Sequence, residues 1–268
     1  MKRTCLPLFF SALFICLSFF AKAQNVGAYP TTLDFRLGGG QSESQVINIS
    51  NTSGKKVQFK LYLNDWVRDS MGGHIYYRAD TLSRSCAKWV GLSDNFVELE
   101  SGQVRQVTVK LSMPADAEAT KQMKWAMLFI ETVKEANATN DKTTQASVNN
   151  LLRIGVHIYQ TPPAVTNKEV KVYDLKPSPE GLNIYNLICQ NTGDVMLECK
   201  SYLELAAISD GSKTKLDPIE FPMFPGQKRY VSFELPKNMA KGKYSVLGVV
   251  DGGEDMSLEA IESQLEVK

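Results

Sequence analysis

Histidine is nearly absent from this 268-residue chain: His74 and His157 are the only two. They stand far apart in sequence and at no ligand-type spacing from a cysteine, which argues against a metal centre. Also missing are a Gly-x-Ser-x-Gly elbow, a His-Glu-x-x-His pair and a phosphate-binding Gly-x-x-x-x-Gly-Lys-Ser/Thr loop. No catalytic residue, metal or cofactor is therefore expected, and the chain reads as a non-enzyme. Gly38-Gly39-Gly40 is glycine-rich, but no helix pattern follows it and a β-turn is the better reading. Charge of one sign is lacking as well, with 30 Lys and Arg against 29 Asp and Glu. That balance argues against nucleic acid or an anionic membrane surface as partner. Cysteine is too scarce for a disulfide scaffold. Cys5 and Cys16 fall in the apolar N-terminus, and Cys86, Cys189 and Cys199 read as small buried hydrophobes.

The one long hydrophobic run is at the start. Lys2 and Arg3 precede the apolar stretch Leu6 to Phe20, and Ala21-Lys22-Ala23 offers the small residues of a signal-peptidase site. Residues 1–23 are predicted to be a cleaved signal peptide. The run is shorter than the ~20 residues of a membrane-spanning helix, so no membrane insertion is expected. Apolar Leu17 and Phe19-Phe20 after Cys16 suit the core of a signal better than a lipoprotein anchor. Cleavage removes three basic residues and no acidic one, leaving 245 residues with a net charge of −2. The product is placed in the periplasm, with the cell surface as the other option.

The remainder alternates at period two. Val57, Phe59, Leu61 and Leu63 share one face, with Gln58, Lys60, Tyr62 and Asn64 on the other. Val107 to Leu111 and Leu197 to Leu205 repeat the pattern. Trp125 to Ile130 and Tyr244 to Val250 are apolar on both faces and read as central strands. Turn signals separate these runs at Asn51-Thr52-Ser53-Gly54, Met71-Gly72-Gly73, Asn191-Thr192-Gly193-Asp194, Asp210-Gly211-Ser212 and Asp251-Gly252-Gly253. Only Ala115 to Gln122 suits a helical turn. The polar stretch Glu135 to Asn150 reads as a mobile loop. Asn51 and Asn137 each begin a glycosylation pattern, which receives little weight. Asp65, beside Trp66 and Asp69, suits either a small site or a solvated strand end.

The order of signals occurs twice. Val46 to Ile49 runs into Asn51; Leu99-Glu100-Ser101-Gly102-Gln103, a strand and Pro114 follow. Leu187 to Gln190 runs into Asn191; Phe224-Pro225-Gly226-Gln227, a strand and Pro236 follow. Asn51 and Gly102 are 51 residues apart, Asn191 and Gly226 only 35, so the first copy holds an insertion. The expected fold is all-β: two tandem immunoglobulin-like sandwiches, over 24–163 and 164–268, joined near Thr161-Pro162-Pro163.

Several segments of the first domain match a family in order. They are Tyr29 to Leu33, Ile47 to Asn51, Val97 to Gly102 with Ser101 in place of a proline, Met113-Pro114 with Trp125 to Val133, and Arg153 to Pro162. In these the chain resembles the periplasmic pilus chaperones, the PapD-like superfamily. The resemblance implies that the chain binds an exported fimbrial or surface subunit through its last first-domain strand. It also implies two cleft cations for the subunit's terminal carboxylate. Here the chain departs from the pattern. Thr32 stands where the first cation is expected, with Arg36 four residues on; Gly155 or Val156 stands where the second is expected, with Arg153 as a substitute. The family's apolar row falls near Ser147, Asn149 and Leu151. Candidate partner-binding residues are Arg36, Leu152, Arg153, Ile154, Val156 and Ile158. The row Leu152, Ile154, Val156 and Ile158 also suits an ordinary core-facing strand.

Two other readings remain open. One is a structural or adhesive accessory of a cell-surface assembly, suggested by the displaced cations. The other is a carbohydrate-binding protein using Trp66, Trp89, Tyr76 and Tyr77.

Overall fold

The computed structural model describes residues 26–133, 151–179 and 183–267. The signal read at residues 1–23 and the loop Glu135 to Asn150, with Asn137, Ser147 and Asn149, lie outside the described residues. The rest is almost entirely β-strand, arranged as four sheets around two cores, consistent with two immunoglobulin-like sandwiches.

In the first, one sheet orders β1 (Val26–Tyr29), β3 (Ser42–Asn51), β8 (Val104–Ser112) and β6 (Val90–Leu92). The facing sheet orders β2 (Thr32–Phe35), β10 (Arg153–Gln160), β9 (Lys124–Thr132), β4 (Val57–Arg68) and β5 (His74–Arg78), with β7 (Phe96–Leu99) also paired to β4. In the second, β11 (Val170–Pro177), β12 (Ile184–Asn191) and β16 (Lys228–Glu234) form one sheet. The other is β14 (Lys213–Lys215), β13 (Leu197–Ala207), β17 (Gly242–Asp251) and β18 (Glu259–Val267), with β15 (Ile219–Met223) on β13.

Period-two patterning sends Phe59 and Leu61 of β4 into the first core with Ile47, Val107, Leu128, Val156 and Ile158. The second core gathers Leu187, Leu203, Phe221, Val231 and Val250. β9 lies between β10 and β4 and is apolar on both faces, with Ala126, Leu128 and Ile130 in the first core and Trp125, Met127 and Phe129 in an apolar cluster on the other side. The expected helical turn is one 3-10 turn, Ala117–Thr120, capped by the Asp116 side chain accepting from Glu118 N–H. Cys86, Cys189 and Cys199 are all buried and unpaired, and burial pushes each thiol up to about 12.

The repeated motif builds the same clasp in both halves. The Asn51 amide donates to Lys55 O, Leu99 O and Glu100 O at 2.8, 2.9 and 3.2 Å. Asn191 donates to Val195 O and Met223 O at 2.8 and 2.9 Å. Each backbone also exchanges bonds with the following Gly-Gln turn, Asn51 with Gly102 and Gln103, Asn191 with Gly226 and Gln227. Asn51 is wholly enclosed, so its glycosylation pattern is inaccessible in the folded chain. The extra length of the first copy lies between β4 and β7. Phe96 follows Arg68 by 28 residues, whereas Ile219 follows Ala207 by 12, which accounts for all of the difference in spacing.

Asp65 is neither a small site nor a solvated strand end. It is buried and accepts from Asp80 N, Thr81 N, Leu82 N and Ser85 Oγ, tying the chain after β5 back to β4.

Replacing Asn51 or Asn191 by alanine strands several buried carbonyls and should cost about 2–4 kcal/mol in either half. Urea unfolding of each variant measures this; a change within error of the native chain would show that the clasps contribute little.

Candidate functional site

The outer face of the β2-β10-β9-β4-β5 sheet is turned away from the first core. Alternation places Lys60, Tyr62, Trp66 and Arg68 of β4 on it, with Trp125, Met127 and Phe129 of β9 and Arg153, Gly155, His157 and Tyr159 of β10. The second sandwich covers part of this face. Trp66, Met123, Trp125, Met127, Phe129 and Tyr159 form an apolar cluster with Phe224, from the turn between β15 and β16. Phe224 meets Trp125, Trp66 and Tyr159 with ring centroids 4.8, 5.0 and 5.8 Å away. Trp125 Nε1 donates to Trp66 O at 2.7 Å. Main-chain bonding crosses the seam too, Tyr230 N–H donating to Ser70 O at 2.8 Å.

Edge strand β5 leans over the same face. The His74 ring lies 5.0 Å from Trp66 and 6.0 Å from His157, and it stacks on Tyr76 at 5.8 Å. Tyr76 in turn meets Phe129 edge-on at 5.0 Å. The histidines that stand apart in sequence therefore converge, although no cluster of metal-ligating residues occurs among the described residues. Burial, then Arg68, holds His74 below its ordinary value; burial, then His74 and Arg68, does the same to His157. Glu198 of β13 is moved the other way, its carboxyl raised by burial and only partly restored by Arg68.

β10 has two unlike edges. β9 pairs with all of it, but β2 pairs only from His157 onward. Upstream, Arg153 to Val156 has no second partner strand among the described residues. Thr132 N–H donates to Leu152 O on the β9 side, and His157 N–H donates to Thr31 O on the other. By the alternation of an antiparallel ladder, the main-chain groups of Arg153 and Gly155 point to the open edge. Gly155 is there for a reason: a Cβ would lie 2.9 Å from the Met127 sulfur.

The candidate residues are placed as follows. Arg36 is exposed, just beyond the end of β2. Leu152 is half-buried. Arg153 is exposed, its guanidinium 4.3 Å from the Phe129 ring centroid and 5.4 Å from that of Tyr76. Ile154 is half-buried against the first core, while Val156 and Ile158 are fully buried in it and have no surface to offer a partner. The side-chain row of β10 is thus core-facing, as an ordinary strand requires, and its free element is the main-chain edge. Thr32 sits opposite His157 in the β2–β10 pairing, so the expected cation position is occupied by a neutral hydroxyl beside an imidazole. Trp66 and Trp89 are buried and offer no face to a sugar; Tyr76 and Tyr77 are exposed.

No family model and no curated protein matches the sequence. Solved structures do match. A chain from a chaperone–tip adhesin complex of CFA/I fimbriae biogenesis aligns with TM-score 0.50 and 13% identity over 90% of this chain and 98% of that one. The class 5 fimbriae chaperone CfaA aligns at 0.47 and 14%, covering 91% and 100%. The Salmonella enterica SafA pilin–SafB chaperone complex contributes a chain at 0.45 and 12%, covering 90% and 97%. That first likeness, at 13% identity, is one of fold alone and extends over 90% of this chain.

Sequence reasoning missed His74, Tyr76, Phe129, His157 and Arg229 as neighbours of one seam. The Nε2 of His157 is buried without a hydrogen-bond partner among the described residues. Alternation alone carried a usable signal: Arg153, Gly155, His157 and Tyr159 are the odd row of β10, opposite the apolar row.

The pKa directions predict a pH response with a definite sign. A half-buried histidine held below its ordinary 6.5 disfavours the folded state once pH falls from 6.5 toward the depressed value. Glu198, raised above 4.5, acts oppositely, since acidification relieves its penalty. Comparing thermal unfolding of native and His157→Asn chains from about pH 7 to about pH 5 isolates the histidine. The native chain should lose stability relative to the variant as pH falls; parallel curves would show that His157 does not titrate in this range.

Proposed function

We propose that this chain is a non-enzymatic, PapD-like chaperone of the periplasm that binds an exported fimbrial or surface subunit by strand pairing. The observation that carries the reading is the open edge of β10 at Arg153 and Gly155. It lies beside the aromatic face of Tyr62, Tyr76 and Phe129 in a chain with the chaperone-type fold. An unpaired edge is a ready template for a strand of another chain. The subunit strand would take its main-chain hydrogen bonds from this edge, and Arg153 would be the cation nearest to it. On this reading residues 1–23 are removed after Ala23 on export, 24–163 form the client-binding domain, and 164–268 form the second sandwich that covers Trp66.

Arg153→Pro separates the edge from the fold. Its N–H faces outward and bonds to no strand among the described residues, a position at which proline is tolerated in a sheet. The variant should keep the native circular dichroism while recovery of its client from periplasmic extract falls at least ~tenfold, about 1.4 kcal/mol. Unchanged recovery, or no exported client recovered by the native chain, would sink the reading. Intact mass of the exported protein tests the leader separately: a chain beginning at Gln24 is expected, and one retaining Met1 rules out cleavage.

A further inference from the structure

Polar groups without hydrogen-bond partners converge on the seam between the sandwiches. Nε of Arg68, Nε and Nη1 of Arg229 and Nε2 of His157 are all buried and unpartnered among the described residues. A buried donor left unmatched is costly, and more so on a cation. In a folded protein such groups call for water or an ion.

The two arginines come from different sandwiches and meet at one turn. Arg68 ends β4 and donates from Nη1 to Gly72 O at 2.9 Å. Arg229 lies near the start of β16, with its guanidinium against Gly72: a Cβ on that residue would be 1.9 Å from Nη1. The acidic groups nearby leave both guanidinium groups unpaired. One Asp69 oxygen accepts from Met71 N–H and Gly73 N–H. Glu198 lies close enough to Arg68 to feel its charge. Yet no ion pair among the described residues includes either arginine. Arg68 also lines a pocket of about 260 Å³ between the sandwiches, together with Trp125, Gly226, Gln227 and the Lys228 side. Lys228 thus borders the same opening as Arg68, while Arg229 stands outside its lining.

We propose that this seam is an oxyanion site, in which one phosphate, sulfate or carboxylate group accepts from Arg68 and Arg229 together and ties the two sandwiches to each other. Guanidinium groups are suited to this because each presents paired donors in a plane to two oxygens of one group. The inference does not rest on strand pairing at β10, which uses the opposite end of the same face.

The test titrates the full chain with inorganic phosphate, with chloride at matched ionic strength as reference, and reads the melting temperature and tryptophan fluorescence. Phosphate should raise the melting temperature saturably and change the emission of the seam tryptophans Trp66 and Trp125. Arg68→Lys and Arg229→Lys keep the charge but lose the fork, and each should weaken apparent affinity at least ~fivefold, about 1 kcal/mol. Lys215→Met, remote from the seam, should leave affinity unchanged. A short peptide with a free C-terminal carboxylate and its amidated twin then identify the source. Displacement of phosphate by the free acid alone assigns the site to a chain terminus; displacement by neither assigns it to a free inorganic anion. No saturable response beyond the chloride reference in the native chain overturns the proposal, as does affinity unchanged from the native chain in both lysine variants.

Discussion

Burial of Trp66 beneath Phe224 is the contact on which the arrangement of the two sandwiches depends. A sheet packed on one face normally leaves the other to water, with polar residues alternating outward. Here the outward row of β4 and β9 carries Trp66, Trp125, Met127 and Phe129, which water would not reward exposing. Fully burying one large apolar side chain contributes roughly 1.5–3 kcal/mol. Several such side chains at one seam offset the loss of freedom on fixing two domains. Once Phe224 is seated there, the turn after β4 meets β16, and the hydrogen bond from Tyr230 to Ser70 follows.

The insertion in the first copy is what makes the two halves differ in kind. The shared clasp at Asn51 and Asn191 shows how alike their frames are. The added segment between β4 and β7 contributes β5, and β5 contributes His74 and Tyr76 to the seam face. Asp65 anchors the far end of that segment through buried hydrogen bonds. The insertion is therefore an organised part of the surface. The second copy has only the short β14 at the equivalent place.

The frame was legible because alternation and turn chemistry are local. Val57 to Leu63, the doubly apolar Trp125 to Ile130 and the repeated asparagine-to-Gly-Gln order could all be read residue by residue. The seam was not legible, because it joins side chains from β4, β5, β9, β10 and the Phe224 turn. Nothing in sequence relates His74 to His157, or Arg68 to Arg229. The open edge of β10 was hidden for another reason. It depends on how far β2 reaches, and β2 covers β10 only from His157 onward. Val156 and Ile158 suit either a partner-facing or a core-facing row in sequence; their side chains lie in the first core, and the main chain of Arg153 and Gly155 has no second partner strand among the described residues.

The seam combines two opposed tendencies. Its aromatic cluster favours closure, whereas two half-buried guanidinium groups that repel each other, with Nε of both and Nη1 of Arg229 lacking acceptors among the described residues, disfavour it. Acid adds to the second tendency through His157 and His74, since any proton they take adds positive charge beside Arg68. A seam composed only of aromatics would be tighter and indifferent to ions. With the arginines placed as they are, contact between the sandwiches is sensitive to whatever anion reaches Gly72. That sensitivity sits on the same sheet face as the main chain of Arg153 and Gly155, which has no second partner strand among the described residues, so a strand added at one end and charge neutralised at the other would act on one sheet.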